Sequence, residues 1–143
     1  MARERPETRE AAVVLMKKVA VDGSGFTRFA GVEPLACWQG YSELTLELRP
    51  DLTQHHGFAH GAVVGMMADN ACAWAAASVA GDVVTSSYTL NFLSPARGDR
   101  LRAKGWVLKA GKRQIVCRAE VWSEGPGDPV LAAVAQATVA ALA

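Results

Sequence analysis

The sequence has no surplus of charge of either sign. Its 15 Lys and Arg meet 14 Asp and Glu, for a formal net charge of +1. The basic residues are scattered, densest over 97–118. Such a chain lacks the electrostatic footprint of a nucleic-acid binder. Cysteine is scarce as well. Cys37, Cys72 and Cys117 are odd in number, far apart and without a C-x-x-C pair. That argues against a disulfide framework and for reduced thiols in a reducing compartment, here expected to be the cytoplasm. The opening "MARERPETRE" is charged and lacks the apolar core of a secretory signal. No internal repeat and no low-complexity linker is visible. The length of 143 residues suits one domain with a sizeable core.

Long hydrophobic runs are also few. One stands out, residues 62–80 inside "QHHGFAHGAVVGMMADNACAWAAAS", and it holds Asp69 at its middle. A carboxylate at the centre of a membrane span costs about 2.5–3.5 kcal/mol on insertion scales. The run is also rich in Ala rather than Leu. It is therefore expected to be the buried helix of a soluble fold, with no membrane partner.

Around that run, Pro6, Glu7 and Glu10 suit the first turn of an N-terminal helix, stopped by "DGSG" at 22–25. "FTRFAGVEPLACW" reads as a broken β-like stretch, with Pro34 marking an edge or a bulge. In "SELTLELRP", Leu44, Leu46 and Leu48 alternate with polar residues as in a half-buried strand. After the apolar helix come "DVVTSSYTLNFLSP", then "DRLRAKGWVLKA", which turns at Gly111 into "RQIVCRAEVW". There Ile115, Cys117, Ala119 and Val121 share one face. Residues 130–143 are ambiguous between helix and strand and are expected as a strand. Residues 1–25 are taken as an arm and helix, and 26–143 as a single α+β domain. A helix that is apolar on every side must be wrapped. A curved antiparallel sheet around one central helix does this.

The chemistry-bearing residues fall in a pattern. Gln54 precedes His60-Gly61 by six positions, Asp69 follows His60 by nine, and "TSSYTLNFLSPARGD" follows on a strand. This combination resembles the hotdog-fold acyl-CoA thioesterases, nearest to the phenylacetate-degradation (PaaI-like) group, over residues 26–140. The resemblance implies that Asp69 attacks the thioester or activates water, and that the Gly61 N–H polarises the carbonyl. It implies that Gln54 orients the site and that Thr85 positions the water, although Ser86 and Ser87 adjoin Thr85. His60 is expected to position rather than to transfer protons. The chain departs from the group in having Gln54 where Asn is common, and Gly61-Ala62 where Gly-Gly is common.

Elementary chemistry agrees. A helix N-terminus offers unpaired N–H groups and a positive dipole end, and Gly61 admits a ligand close to the backbone. Together they form an oxyanion site, while Asp69 can serve as base or nucleophile. Hydrolysis requires no metal or organic cofactor. Gly61 and Asp69 lie eight residues apart on one helix, roughly 12 Å at 1.5 Å per residue. One carbonyl cannot meet both, so the sites are expected to be shared within a homodimer, which can pair further into a dimer of dimers. Acyl-CoA is the expected substrate.

Other assignments fit parts of the pattern. A hydratase or dehydratase on the same fold would use His60 at the reacting carbons. A non-catalytic module would bind acyl-CoA without turnover. Asp69 could be a structural carboxylate held by an Arg or a backbone N–H. Cys72, three residues on, could form a Cys–His–Asp set. His55, His56 and His60 spell a weak zinc pattern without a further ligand. Arg97, Arg100, Arg102, Lys109, Lys112 and Arg113 could meet coenzyme A phosphates or form a solvated strand face.

Overall fold

The structure is a computed structural model and describes residues 5–142. Helix α1 (Arg9–Met16) opens at Thr8, whose hydroxyl accepts from the Ala11 N–H at 3.1 Å. That side-chain cap fixes the start, so Pro6 lies before the helix rather than in its first turn. A π-helical turn (Lys17–Asp22) carries the chain on to Gly23. Helix α2 (Gly25–Ala30) replaces the first part of the expected β-like stretch. Gly31 ends it at φ 88°, the left-handed position that favours glycine. The Arg49 guanidinium then takes the carbonyls of Phe29 and Ala30, both at 2.7 Å. A distant arginine satisfying that helix end is not a local sequence signal.

Strands β1 (Val32–Trp38) and β2 (Tyr41–Glu47) form a hairpin through Gln39 and Gly40, both at positive φ. β1 is a sheet edge, and its pairing with β2 is irregular between Pro34 and Ala36, as the proline suggested. After a 3-10 turn (Pro50–Leu52) comes the long helix α3 (Gly61–Ala80). Strands β3 (Val83–Phe92), β4 (Arg100–Ala110), β5 (Gln114–Glu124) and β6 (Val130–Ala141) complete one antiparallel six-stranded sheet in the order β1-β2-β4-β5-β6-β3. The ambiguous C-terminal run is thus a strand, paired on both sides.

The sheet lies against α3. Leu44, Leu46, Leu101, Ile115, Val121 and Val139 are fully buried against Met67, Ala68, Ala71 and Cys72. By length and composition α3 could cross a membrane, yet 56% of that window is buried inside the fold. Helix and sheet approach closely at Gly105 of β4. A Cβ there would stand 2.2 Å from the Ala71 carbonyl oxygen and 2.8 Å from the Ser42 hydroxyl, which itself donates to that carbonyl at 2.6 Å. Gly105→Ala must push the helix off the sheet. It should cost about 1–3 kcal/mol, the usual range for overpacking. Denaturant unfolding checks this, and an unchanged midpoint would mean that the contact is looser than described.

Strand β3 is the second edge. It carries a bulge: Thr85 pairs with Val139 and Ser87 with Thr138, leaving Ser86 extra. Side chains alternate along a strand, so one extra residue reverses the alternation. Thr85 reaches α3 before the bulge. After it, Tyr88, Leu90 and Phe92 reach α3 at Gly65 and Gly61.

Candidate active site

His60 is the N-cap of α3, and its ring Nδ1 accepts from the Ala62 N–H at 3.0 Å. Its backbone carbonyl accepts from the Val63 and Val64 N–H groups. The first turn therefore has one N–H left over. Among the described residues, nothing accepts from the Gly61 N–H. Gly61 also makes room for a neighbour: a Cβ here would stand 3.2 Å from the Phe92 ring. A cleft of about 310 Å³ opens at this spot, lined by Phe58, Gly61, Phe92 and the 93–96 loop. His60 capping α3 with Nδ1 fits a positioning role better than proton transfer through that nitrogen.

The loop before the helix is tightly tied. Gln54 pairs with Phe58 through the backbone at 2.9 Å, and the His60 N–H bonds to the Leu52 carbonyl at 2.9 Å. The Gln54 side-chain oxygen accepts from the His56 N–H, which leaves its NH₂ group to face outward chemistry. The His55 and His56 rings lie 4.0 Å apart and tilted at 42°, His56 stacks on Phe58, and the Arg97 guanidinium stands 5.0 Å over the Phe58 ring. Among the described residues no group of three or more His, Cys, Asp or Glu could hold a metal ion.

Asp69 lies two turns further along α3, partly buried. The Thr85 hydroxyl donates to its Oδ1 at 2.6 Å. Of the three adjoining hydroxyls, Thr85 is therefore the one that meets the carboxylate. No cation among the described residues pairs with Asp69, so the structural reading that required an Arg lacks its partner. α3 is unbroken from Gly61 to Ala80. Gly61 and Asp69 of one chain thus remain roughly 12 Å apart.

Cys72 turns away from this face into the core and is 0% exposed. Burial pushes its thiol up to about 12, helped by Cys117 and Asp69 nearby. Burial also raises Cys37 to about 12 and Cys117 to about 11. A thiol that is neutral and enclosed is a poor nucleophile. Treating the folded protein with an alkylating agent should leave thioester hydrolysis intact, and all three thiols should react once it is unfolded. Loss of activity in step with alkylation of Cys72 would restore the cysteine mechanism.

Three of the basic residues of the 97–118 stretch are occupied elsewhere. Arg102 bridges Glu43 at 2.6 Å and Glu124 at 3.1 Å, Arg100 approaches Glu124 at 3.4 Å, and Arg118 lies 4.8 Å over the Trp106 ring. Arg97 is the one beside the Gly61 cleft. One feature was not legible beforehand. Asn70, next to Asp69, has its side-chain Nδ2 buried without a hydrogen-bond partner among the described residues.

A family model described as the thioesterase superfamily matches residues 56–130, which include His60, Gly61, Asp69 and Thr85. The chain belongs to the thioesterase superfamily. This thioesterase is 29% identical over 92 residues to the acyl-coenzyme A thioesterase PaaI of Escherichia coli, an alignment spanning 64% of this chain and 66% of that relative. A thioesterase family protein from Silicibacter pomeroyi superposes with a TM-score of 0.86 at 28% identity, covering 91% of this chain and 98% of that one. A point mutant of the phenylacetic acid degradation protein PaaI of Thermus thermophilus superposes at 0.75 with 29% identity, over 83% of this chain and 100% of that one. The Escherichia coli PaaI structure shares the fold, with a TM-score of 0.82 at 20% identity over 95% of this chain and 97% of that one. The hotdog architecture expected from the motif is the one observed. The chain is a PaaI-like thioester hydrolase of that superfamily.

Proposed function

We propose that this thioesterase hydrolyses acyl-CoA thioesters with Asp69 as general base or nucleophile, in sites shared between two copies of the chain. The observation that carries this is the Thr85–Asp69 hydrogen bond of 2.6 Å on the open side of α3. It orients a carboxylate that no cation among the described residues neutralises and leaves the second oxygen to act on a substrate or a water. The spare Gly61 N–H at the positive end of α3 supports an oxyanion role. Gln54, held by its loop, orients the thioester through its NH₂ group. His60 keeps the Gly61 peptide in place by capping the helix.

The mechanism follows from those positions. The carbonyl oxygen binds at the Gly61 N–H, which stabilises the negative charge that develops there. Asp69 either takes a proton from a water held by the Thr85 hydroxyl or attacks the carbonyl carbon itself. In the first route the water oxygen attacks, and the tetrahedral centre collapses and expels the coenzyme A thiolate to leave the free acid; in the second, collapse expels the thiolate and leaves a mixed anhydride on Asp69, which a water hydrolyses to the free acid and the regenerated carboxylate. The hydratase alternative would need a histidine free to exchange protons, and His60 Nδ1 is spent on Ala62.

Three features support a shared site. The separation of Gly61 from Asp69 is one. The second is the β3 edge, where Val84, Phe92 and Leu93 are 52%, 59% and 53% exposed. An apolar open edge is a natural place for a second copy to pair. The third is the buried Nδ2 of Asn70, since an unpaired buried donor costs about 1–3 kcal/mol and a partner's acceptor would remove that cost. A panel of acyl-CoA thioesters, followed by release of free thiol, tests the activity. Binding of all without turnover of any would leave a non-catalytic acyl-CoA module instead.

A further inference from the structure

Gly65 stands midway between Gly61 and Asp69, about 6 Å along α3 from each. It is buried inside the helix, and its φ is not positive, so the backbone does not call for glycine there. Glycine weakens a helix interior relative to alanine. The reason for it lies in packing. A Cβ at Gly65 would stand 3.1 Å from the Tyr88 hydroxyl and 3.6 Å from Leu90 Cδ2. The absent methyl leaves a notch in which the phenol is seated.

Two further facts single out this phenol. Its hydroxyl has no hydrogen-bond partner among the described residues, although it is set against a helix. Tyr88 is also 44% exposed, on the open edge strand β3. A tyrosine hydroxyl at a packed surface usually finds a partner. The other of the two tyrosines does so: the Tyr41 hydroxyl donates to Glu43 at 3.1 Å, and its ring lies 5.7 Å from that of Trp106.

The symmetry of a shared site locates the missing partner, and this step rests on the shared-site reading. If Gly61 of one copy faces Asp69 of the other, a two-fold axis requires the converse as well. The two α3 helices then run antiparallel, and Gly65, midway, lies opposite its own copy. What stands over Gly65 stands beside the axis. We infer that the two Tyr88 hydroxyls meet across this axis as each other's hydrogen-bond partner, and that this contact, seated in the two Gly65 notches, sets the gap between Gly61 of one copy and Asp69 of the other. A phenol can donate and accept, so one hydroxyl donates and the other accepts. Tyr88 is therefore a positioning residue, which touches the second copy rather than the thioester. Misplacing a reacting group by about 1 Å can cost about a hundredfold in rate, so a spacer at the axis acts on both sites together.

The contact is tested without activity. Photo-oxidation joins neighbouring tyrosines as dityrosine, read as a covalent dimer on a denaturing gel and by its fluorescence. Native protein and Tyr41→Phe should cross-link between chains, and Tyr88→Phe should not, while all three sediment as dimers. Undiminished cross-linking in Tyr88→Phe, or none in a native dimer, overturns the contact. The spacing is tested by kinetics on the best acyl-CoA. Gly65→Ala drives the phenol toward the second copy and should lower kcat about tenfold or more with little change in KM. In Gly65→Ala/Tyr88→Phe the added methyl replaces the lost oxygen, since the ring Cζ stands 4.0 Å from that Cβ. Its kcat should return to within about threefold of Tyr88→Phe, as coupled neighbours do and independent ones do not. A folded Gly65→Ala dimer with native kcat, or a double variant with no recovery, ends the spacer role. A contact that only stabilised the fold would shift the unfolding midpoint and leave kcat per folded dimer unchanged. Re-pairing Asp69→Asn with Gly61→Pro chains judges the shared site separately. Activity restored there without a Tyr88 cross-link removes this inference alone, and a native monomer removes both.

Discussion

Asp69→Asn is expected to lower thioester hydrolysis by about a hundredfold to ten-thousandfold, the span that a positioned acid or base contributes. The change removes charge and basicity while keeping the shape. The Thr85 hydroxyl, now 2.6 Å from Oδ1 of Asp69, can still donate to the oxygen of an asparagine, so packing and local geometry should persist. An unfolding midpoint near that of the native protein would show this. The decisive measurement is kcat on the best acyl-CoA of the panel. A folded variant with native kcat would move the chemistry away from Asp69. The alternative would then be a site in which Gly61 and Gln54 act alone on a thioester exposed to solvent water.

The second large effect concerns assembly. Gly61→Pro removes the one N–H of the first turn of α3 that nothing else uses. Proline suits the first helical position, and His60 already has the extended conformation (φ −61°, ψ 139°) that a residue before proline requires. The Phe92 ring, 3.2 Å from a Cβ at Gly61, would have to give by a few tenths of an ångström. Alone, this variant and Asp69→Asn should each be inactive. Mixed and re-paired, they should regain about a quarter of native activity. Half of the dimers would be mixed, and each mixed dimer would hold one intact site out of two. Mixed dimers detected by mass spectrometry without any activity would overturn the shared site and require a complete site within each chain.

Legibility in the sequence followed the range of the forces involved. The half-buried strands could be seen because alternation is local: Leu44 and Leu46, and Ile115 to Val121, needed no partner to declare their faces. The wrapped helix could be seen because its apolar surface went all the way round. Gly61 and Asp69 stood out because a glycine after a histidine and a carboxylate in an apolar helix both break local rules. Residues 26–30 look β-like in sequence because what keeps them helical is Arg49, about twenty positions away, gripping the end of α2. The recess beneath α1 was invisible for the same reason. Its walls come from α1, α3 and β3, and each wall alone reads as ordinary core. Asn70 gave no signal, since a polar residue on a helix is usually solvated and its burial here depends on tertiary packing.

The extra residue in β3 has a consequence for how the strand answers to substitution. Because Ser86 breaks the alternation, the strand behaves as two cassettes in different phase. One cassette, ending at Thr85, answers to the carboxylate. The other, from Tyr88 to Phe92, answers to the helix N-terminus. Substitutions in either need not be matched in the other, so catalysis and helix seating can diverge separately. Deleting Ser86 would make the register continuous, Thr85–Val139, Ser87–Thr138, Tyr88–Ala137, and Tyr88, Leu90 and Phe92 would then share the face of Thr85 by regular alternation, without the bend of the bulge.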